Sequence, residues 1–205
     1  MRVVIAGFGR FPGAPVNPSA HLAELVARRR RPAFAGVERS VHVLPTVYAE
    51  VDRELPELFA ARPDIVLMFG LAGRRRELCI ETRARNARSV LSPDASRYRP
   101  QTGVIARGQP SSRRGNAPFM RLLAAVRRHG IAVRLSRDAG RYLCNYAYWQ
   151  ALQRSRGGRP TIAFIHIPPV RLRPRKLRRR RQPAMARLAV AAEALLIALI
   201  AANRR

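Results

Sequence analysis

Lysine occurs once, at Lys176, among 40 basic residues, and only 12 carboxylates stand against them in 205 residues. The net charge of +28 invites a nucleic-acid reading. A surface shaped for phosphate draws on both cations, however, because a solvated phosphate accepts either one. Arginine without lysine, beside 16 prolines and abundant alanine, reads instead as the compositional bias of GC-rich coding, and nucleic acid is not expected as a partner. Two cysteines, Cys79 and Cys144, are too few for a disulfide framework and point to a reducing compartment. Long hydrophobic runs are missing as well. The run after Met1 spans about five residues, below the roughly 7 to 15 of a signal-peptide core. Leu188 to Ala202, apolar apart from Glu193, falls short of the roughly 20 residues a spanning helix needs. These absences lead us to expect a cytoplasmic chain with no membrane role and a half-buried terminal helix. No two cysteine or histidine residues stand at ligand spacing, so no metal is expected.

What is present is enough for one domain with a real core, since 47% of the residues are apolar. Short β-branched runs alternate with stretches of helical period, the pattern of an α/β fold with a central, mostly parallel sheet flanked by helices on both faces. The expected strands are Arg2 to Ala6, Ser40 to Leu44, Ile65 to Phe69, Ile131 to Leu135 and Thr161 to Ile167. Ile65 to Phe69 and Thr161 to Ile165 are almost continuously apolar, which places them mid-sheet. Ser19 is the expected cap of a helix through Leu22, Leu25 and Val26. A second helix carries Val47, Val51, Leu55 and Phe59, with Pro56 expected to kink or shorten it. A third follows Pro118, and a fourth runs from about Asn145 to Arg154. Asn86 to Gly115 reads as a long loop, either functional or mobile. The organisation expected is a core over residues 1–170, a basic linker over 171–181 and a terminal helix within 182–205 that packs on the same domain.

Three positions stand out for chemistry. Gly7-Phe8-Gly9 follows the first strand, but Pro12 stands where a dinucleotide cradle needs its third glycine, and no acidic residue ends the second strand. Cys144 lies just before an apolar and aromatic helical stretch. A thiol at a helix N-terminus faces unpaired N–H groups and the positive end of the dipole, which lower its pKa and supply oxyanion donors. A buried, inert thiol is the bland alternative. His166 ends the last expected strand, where catalytic groups of parallel sheets gather; a satisfied core histidine is its alternative. A cysteine and a histidine at one rim make a nucleophile and its base. A third group should orient the imidazole, and the nearby carboxylates are Glu77 and Glu81. Glu81 is preferred because Cys79 and Glu81 alternate with Leu78, Ile80 and Thr82 as in a strand.

Four blocks in order carry a resemblance over nearly the whole chain: Gly7-Phe8-Gly9-Arg10-Phe11-Pro12-Gly13 through Asn17-Pro18-Ser19, Pro63-Asp64-Ile65 through Gly70-Leu71-Ala72-Gly73-Arg74, Ala139-Gly140-Arg141-Tyr142-Leu143-Cys144-Asn145, and Phe164-Ile165-His166-Ile167-Pro168. The chain resembles the pyroglutamyl peptidase I (pyrrolidone-carboxylate peptidase) family of cysteine peptidases. The resemblance implies a triad of Cys144, His166 and Glu81 that removes N-terminal 5-oxoproline from peptides through a thioester, without metal or cofactor. It implies a substrate pocket at Phe8, Phe11, Asn17, Leu71 and Leu143, with the two phenylalanines against the lactam ring. It further implies a cytosolic homo-oligomer, commonly a tetramer. Two other readings stay open: a relative acting on a different acyl-blocked substrate or on none, and a binder of anionic surfaces or nucleic acid through Arg171 to Arg181.

Overall fold

Burial of alternating or continuous apolar runs accounts for the strands, and apolar stripes of helical period account for the helices that cover them. The computed structural model describes residues 1–11, 14–170 and 184–204. Its elements in order are β1 (Arg2–Phe8), α1 (Pro18–Ala27), β2 (Glu38–Leu44), α2 (Tyr48–Ala60), β3 (Ile65–Leu71), β4 (Leu78–Glu81), β5 (Arg83–Arg85), β6 (Ser112–Arg114), α3 (Phe119–Arg127), β7 (Val133–Ser136), α4 (Leu143–Arg154), β8 (Thr161–Ile167) and α5 (Met185–Asn203). Six strands form one sheet in the order β2-β1-β3-β8-β4-β7. The first four run parallel. β4 runs antiparallel to β8, and β7 runs parallel to β4. The sheet is thus mostly parallel, with β3 and β8 in its middle as their apolar runs require.

Helices α1, α3 and α5 cover one face, and α2 and α4 the other. The cap of α1 is Asn17 rather than the expected Ser19: its side chain accepts the Ser19 N–H, while Ser19 Oγ accepts the N–H of Phe8 and ties the helix to β1. That junction is tight enough that a Cβ on Gly7 would lie 2.5 Å from the Ala20 Cα. Pro56 neither breaks nor shortens α2; it sits on the exposed side of a continuous 13-residue helix whose buried stripe is Tyr48, Val51, Leu55 and Leu58. α5 spans 19 residues, longer than the apolar run alone suggests, and is apolar enough to cross a bilayer by length and composition. Ten of its residues are buried against the domain, including Leu195, Leu196 and Leu199. Its one acid, Glu193, takes Arg31 at 2.6 Å and Arg29 at 3.6 Å. Residues 171–181, expected as a basic linker, lie outside the described residues.

The segment 86–111 has little regular structure, yet buried side chains organise it. Asn86 Nδ2 donates to the carbonyls of Ala106 and Gln109, and its Oδ1 accepts the N–H groups of Ile105 and Ala106. Asp94, 1% exposed, accepts the N–H groups of Ser96 and Tyr98 and, across the fold, that of Tyr48 at the start of α2. Asn145 on α4 donates to the carbonyls of Arg85 and Ala87 and accepts the Arg85 N–H, pinning β5 beside the helix.

Candidate active site

The antiparallel register of β4 and β8 sets Glu81 opposite Phe164, two residues before His166. Side chains two apart share a face, so the carboxylate and the imidazole meet diagonally across the pair. His166 Nδ1 lies 2.8 Å from Glu81 Oε1. Both groups are withdrawn from water, with Glu81 at 0% and His166 at 5% exposure. A buried carboxylate is costly unless it is paired and hydrogen-bonded. Arg75 supplies a second partner, its Nη1 3.4 Å from the same Oε1. That guanidinium is itself fixed, with Nη1 donating to Ser136 Oγ at 3.0 Å and Nη2 to the Asp138 carbonyl at 2.5 Å. A carboxylate can only accept, so this hydrogen bond selects the imidazole tautomer with its proton on Nδ1 and Nε2 free to accept.

Cys144 is the second residue of α4, half-buried, with Tyr142 as the N-cap residue. Its sulfur sits over the end of β3: a Cβ on Gly70 would come within 2.8 Å of Sγ. Gly70 pairs with His166 across the β3–β8 ladder, so sulfur and imidazole stand over neighbouring strand positions. Glycine is the residue that leaves room for the thiol there. The helix N-terminus was expected to lower the thiol pKa, and the outcome is opposite. Burial pushes Cys144 up to about 12, and the Glu81 charge pushes the same way; only the cysteine's own backbone N–H favours the thiolate. Desolvation in an apolar niche outweighs one turn of helix dipole.

A cleft of about 610 Å³ opens over this point, lined by Phe8, Phe11, Asn17, Leu71, Leu143, Cys144 and His166 among others. Every expected pocket residue thus borders one cavity with the cysteine and histidine. Glu81 stands behind His166, outside the lining. Leu143 precedes the cysteine on α4, and Leu71 ends β3. Phe8, 1% exposed, packs at a tilt of 47° to Phe164 with centroids 6.2 Å apart, and Phe11 stands 6.2 Å from the Tyr142 ring. Asn17 borders the cleft, but its amide is engaged with Gly9 and Ser19. It shapes the loop and leaves little of its amide for a ligand.

Several cleft residues escaped the sequence reading. Thr46 donates its hydroxyl to the Arg10 carbonyl and Tyr142 donates its own to Pro93, so both stitch the rim together. Arg74 and Arg75 line the same cleft. Both belong to the run Arg74 to Arg76 that crowds the turn before Glu81 in the sequence, where arginines flanking that carboxylate are expected to tilt the site towards acidic peptides.

Comparison with known proteins agrees with this architecture. The family model described as pyroglutamyl peptidase matches residues 1–205. A pyrrolidone-carboxylate peptidase of Thermococcus onnurineus is 33% identical over 171 residues, 82% of this chain and 84% of its own length. One from Ralstonia nicotianae is 32% identical over 174 residues, 81% of this chain and 77% of its own. The crystal structure of pyrrolidone carboxyl peptidase from Thermus thermophilus, 29% identical, covers 95% of this chain and 98% of that one with a TM-score of 0.84. A mutant pyrrolidone carboxyl peptidase from Pyrococcus furiosus, 24% identical, shares the fold with a TM-score of 0.86 over 99% of this chain and all of that one. With a match along its full length and relatives this similar over four-fifths of it, the chain belongs to the pyroglutamyl peptidase family of cysteine hydrolases.

Proposed function

We propose that the chain removes N-terminal 5-oxoproline from peptides, with Cys144 as nucleophile, His166 as general base and acid, and Glu81 as the group that orients the imidazole. The observation that carries this reading is the shared cleft of Cys144 and His166, with the histidine bonded at 2.8 Å to a fully buried carboxylate. A 5-oxoprolyl ring is neutral and lacks a free amine. Its site calls for apolar walls and a few backbone hydrogen bonds rather than a carboxylate. Phe8, Phe11, Leu71 and Leu143 supply such walls.

In the resting site the thiol keeps its proton, since burial raises its pKa to about 12. On attack, His166 Nε2 takes that proton as the sulfur–carbon bond forms, and the Nδ1 proton stays with Glu81's hydrogen bond. The first N–H groups of α4 lack intrahelical partners and are placed to receive the oxyanion. The carbon–nitrogen bond then breaks, and the imidazolium gives its proton to the departing amine. Water attacks the thioester with His166 again as base, releasing pyroglutamate and restoring the thiol. The reading extends to cytoplasmic action as a homo-oligomer, both carried over from the family resemblance.

The test is turnover of a chromogenic pyroglutamyl amide by the purified protein beside Cys144→Ser. Chromophore release by the native protein and none above background by the variant is the expected result. Equal rates, or no release by either, would remove the assignment.

A further inference from the structure

We infer that the β3–β4 turn forms a leaving-peptide subsite selective for a carboxylate, with Arg74 as the residue that reads it. This rests on the pyroglutamyl reading above and deepens it by naming the peptides preferred.

The side of the cleft on which the departing chain lies follows from the proton it must receive. His166 supplies that proton, so the leaving amine emerges beside the imidazole. Behind His166 stands Glu81, and Arg75 is locked onto Glu81, Ser136 and Asp138. Arg74 is the next residue along the turn, borders the same cleft and is exposed. Of the phenylalanine walls, Phe8 ends β1 and Phe11 lies on the loop that follows it, whereas Arg74 belongs to the turn after β3. In this reading Arg74, beside the Arg75 that is fixed behind His166, flanks the path of the departing peptide.

Its charge is uncompensated. Arg75 spends its guanidinium on Glu81, whereas Arg74 makes no ion pair or side-chain hydrogen bond among the described residues. No aspartate or glutamate occurs among the described residues lining the cleft. A site whose open end presents one free guanidinium and no carboxylate favours an anion and disfavours a cation. Two carboxylates of a peptide substrate meet this description, an acidic side chain just after the pyroglutamyl residue and the C-terminus of a very short peptide.

The experiment compares kcat/KM for pyroglutamyl-Glu-Ala amide, pyroglutamyl-Gln-Ala amide and pyroglutamyl-Lys-Ala amide at low ionic strength, then for pyroglutamyl-Ala as free acid against its amide. The first set reads a side-chain carboxylate and the second a terminal one. Glu over Gln, or acid over amide, by about fivefold is expected, the size of one exposed ion pair, with Lys below Gln. Arg74→Ala should bring the ratios to about one, Arg74→Glu should invert them, and 0.5 M salt should compress them through screening. Ratios near one in the native protein, or a preference that survives Arg74→Ala, overturn the inference while cleavage of the neutral peptides leaves the pyroglutamyl reading standing. Cleavage of none of the peptides overturns both.

Discussion

At the rim of the cleft, Cys144, His166 and Glu81, the proposed triad, each stand at an end of a regular element: the start of α4, the end of β8 and the end of β4. In the segment 86–111, Asn86, Asp94 and the facing Asn145 hold irregular backbone by hydrogen bonds from buried side chains. The two regions touch where Ser89 N–H donates to the Arg141 carbonyl and the Tyr142 hydroxyl to the Pro93 carbonyl. At the rim, hydrophobic burial fixes the frame and a few charged groups ride on it. The segment has little apolar surface to bury, so its stability is concentrated in single polar side chains whose loss leaves backbone groups unpaired. Chemistry should therefore be lost at the rim with little unfolding. In the segment, structure should be lost with the chemistry only indirectly affected.

The largest separation comes from Cys144→Ala. Turnover should fall by at least about a thousandfold, while unfolding, followed by the fluorescence of the single Trp149, stays cooperative at an unchanged midpoint. Glu81→Gln comes next. An amide facing Nδ1 no longer dictates which ring nitrogen holds the proton, and kcat should drop about a hundredfold or more with KM little altered. Asn86→Ala reverses the pattern. Losing four part-buried hydrogen bonds to backbone should cost about 2–3 kcal/mol in denaturant unfolding, with KM rising more than kcat falls.

The smallest effect concerns pH. The folded chain holds the Cys144 proton up to about 12 against an ordinary 9.0. The stability this contributes is complete below about pH 9 and is lost as pH rises towards 12. For the same reason, alkylation of Cys144 by iodoacetamide should keep climbing between pH 7 and 10, where an ordinary thiol levels off. A plateau below pH 8 would instead mean a thiolate paired with protonated His166.

The same contrast explains what was legible in the sequence. Continuous apolar runs marked β3 and β8, and with them His166 at a strand end; the stretch after Cys144 marked α4 and its N-terminus. β4 was visible only as the alternation of Cys79 and Glu81, because four residues behind three arginines carry too little pattern. β5 and β6 are three residues each and rich in arginine, with no alternation to find. These ties of Asn86, Asp94 and Asn145 link positions 19 to 60 residues apart, which no local period encodes. The run Arg74 to Arg76 was visible before Glu81, but not which of its three guanidiniums the buried carboxylate would take. The raised thiol pKa was hidden because it depends on burial of the sulfur and on the charge of Glu81, 63 positions away in the chain.

The most direct measurement is intact-mass and peptide-mapping analysis of the protein quenched during turnover of a pyroglutamyl ester. A mass increase of one pyroglutamyl acyl group on the peptide carrying Cys144, absent from Cys144→Ala and lost on further incubation, is the result predicted. An adduct on another residue, or turnover with Cys144 never acylated, would contradict the central claim that this thiol forms the thioester.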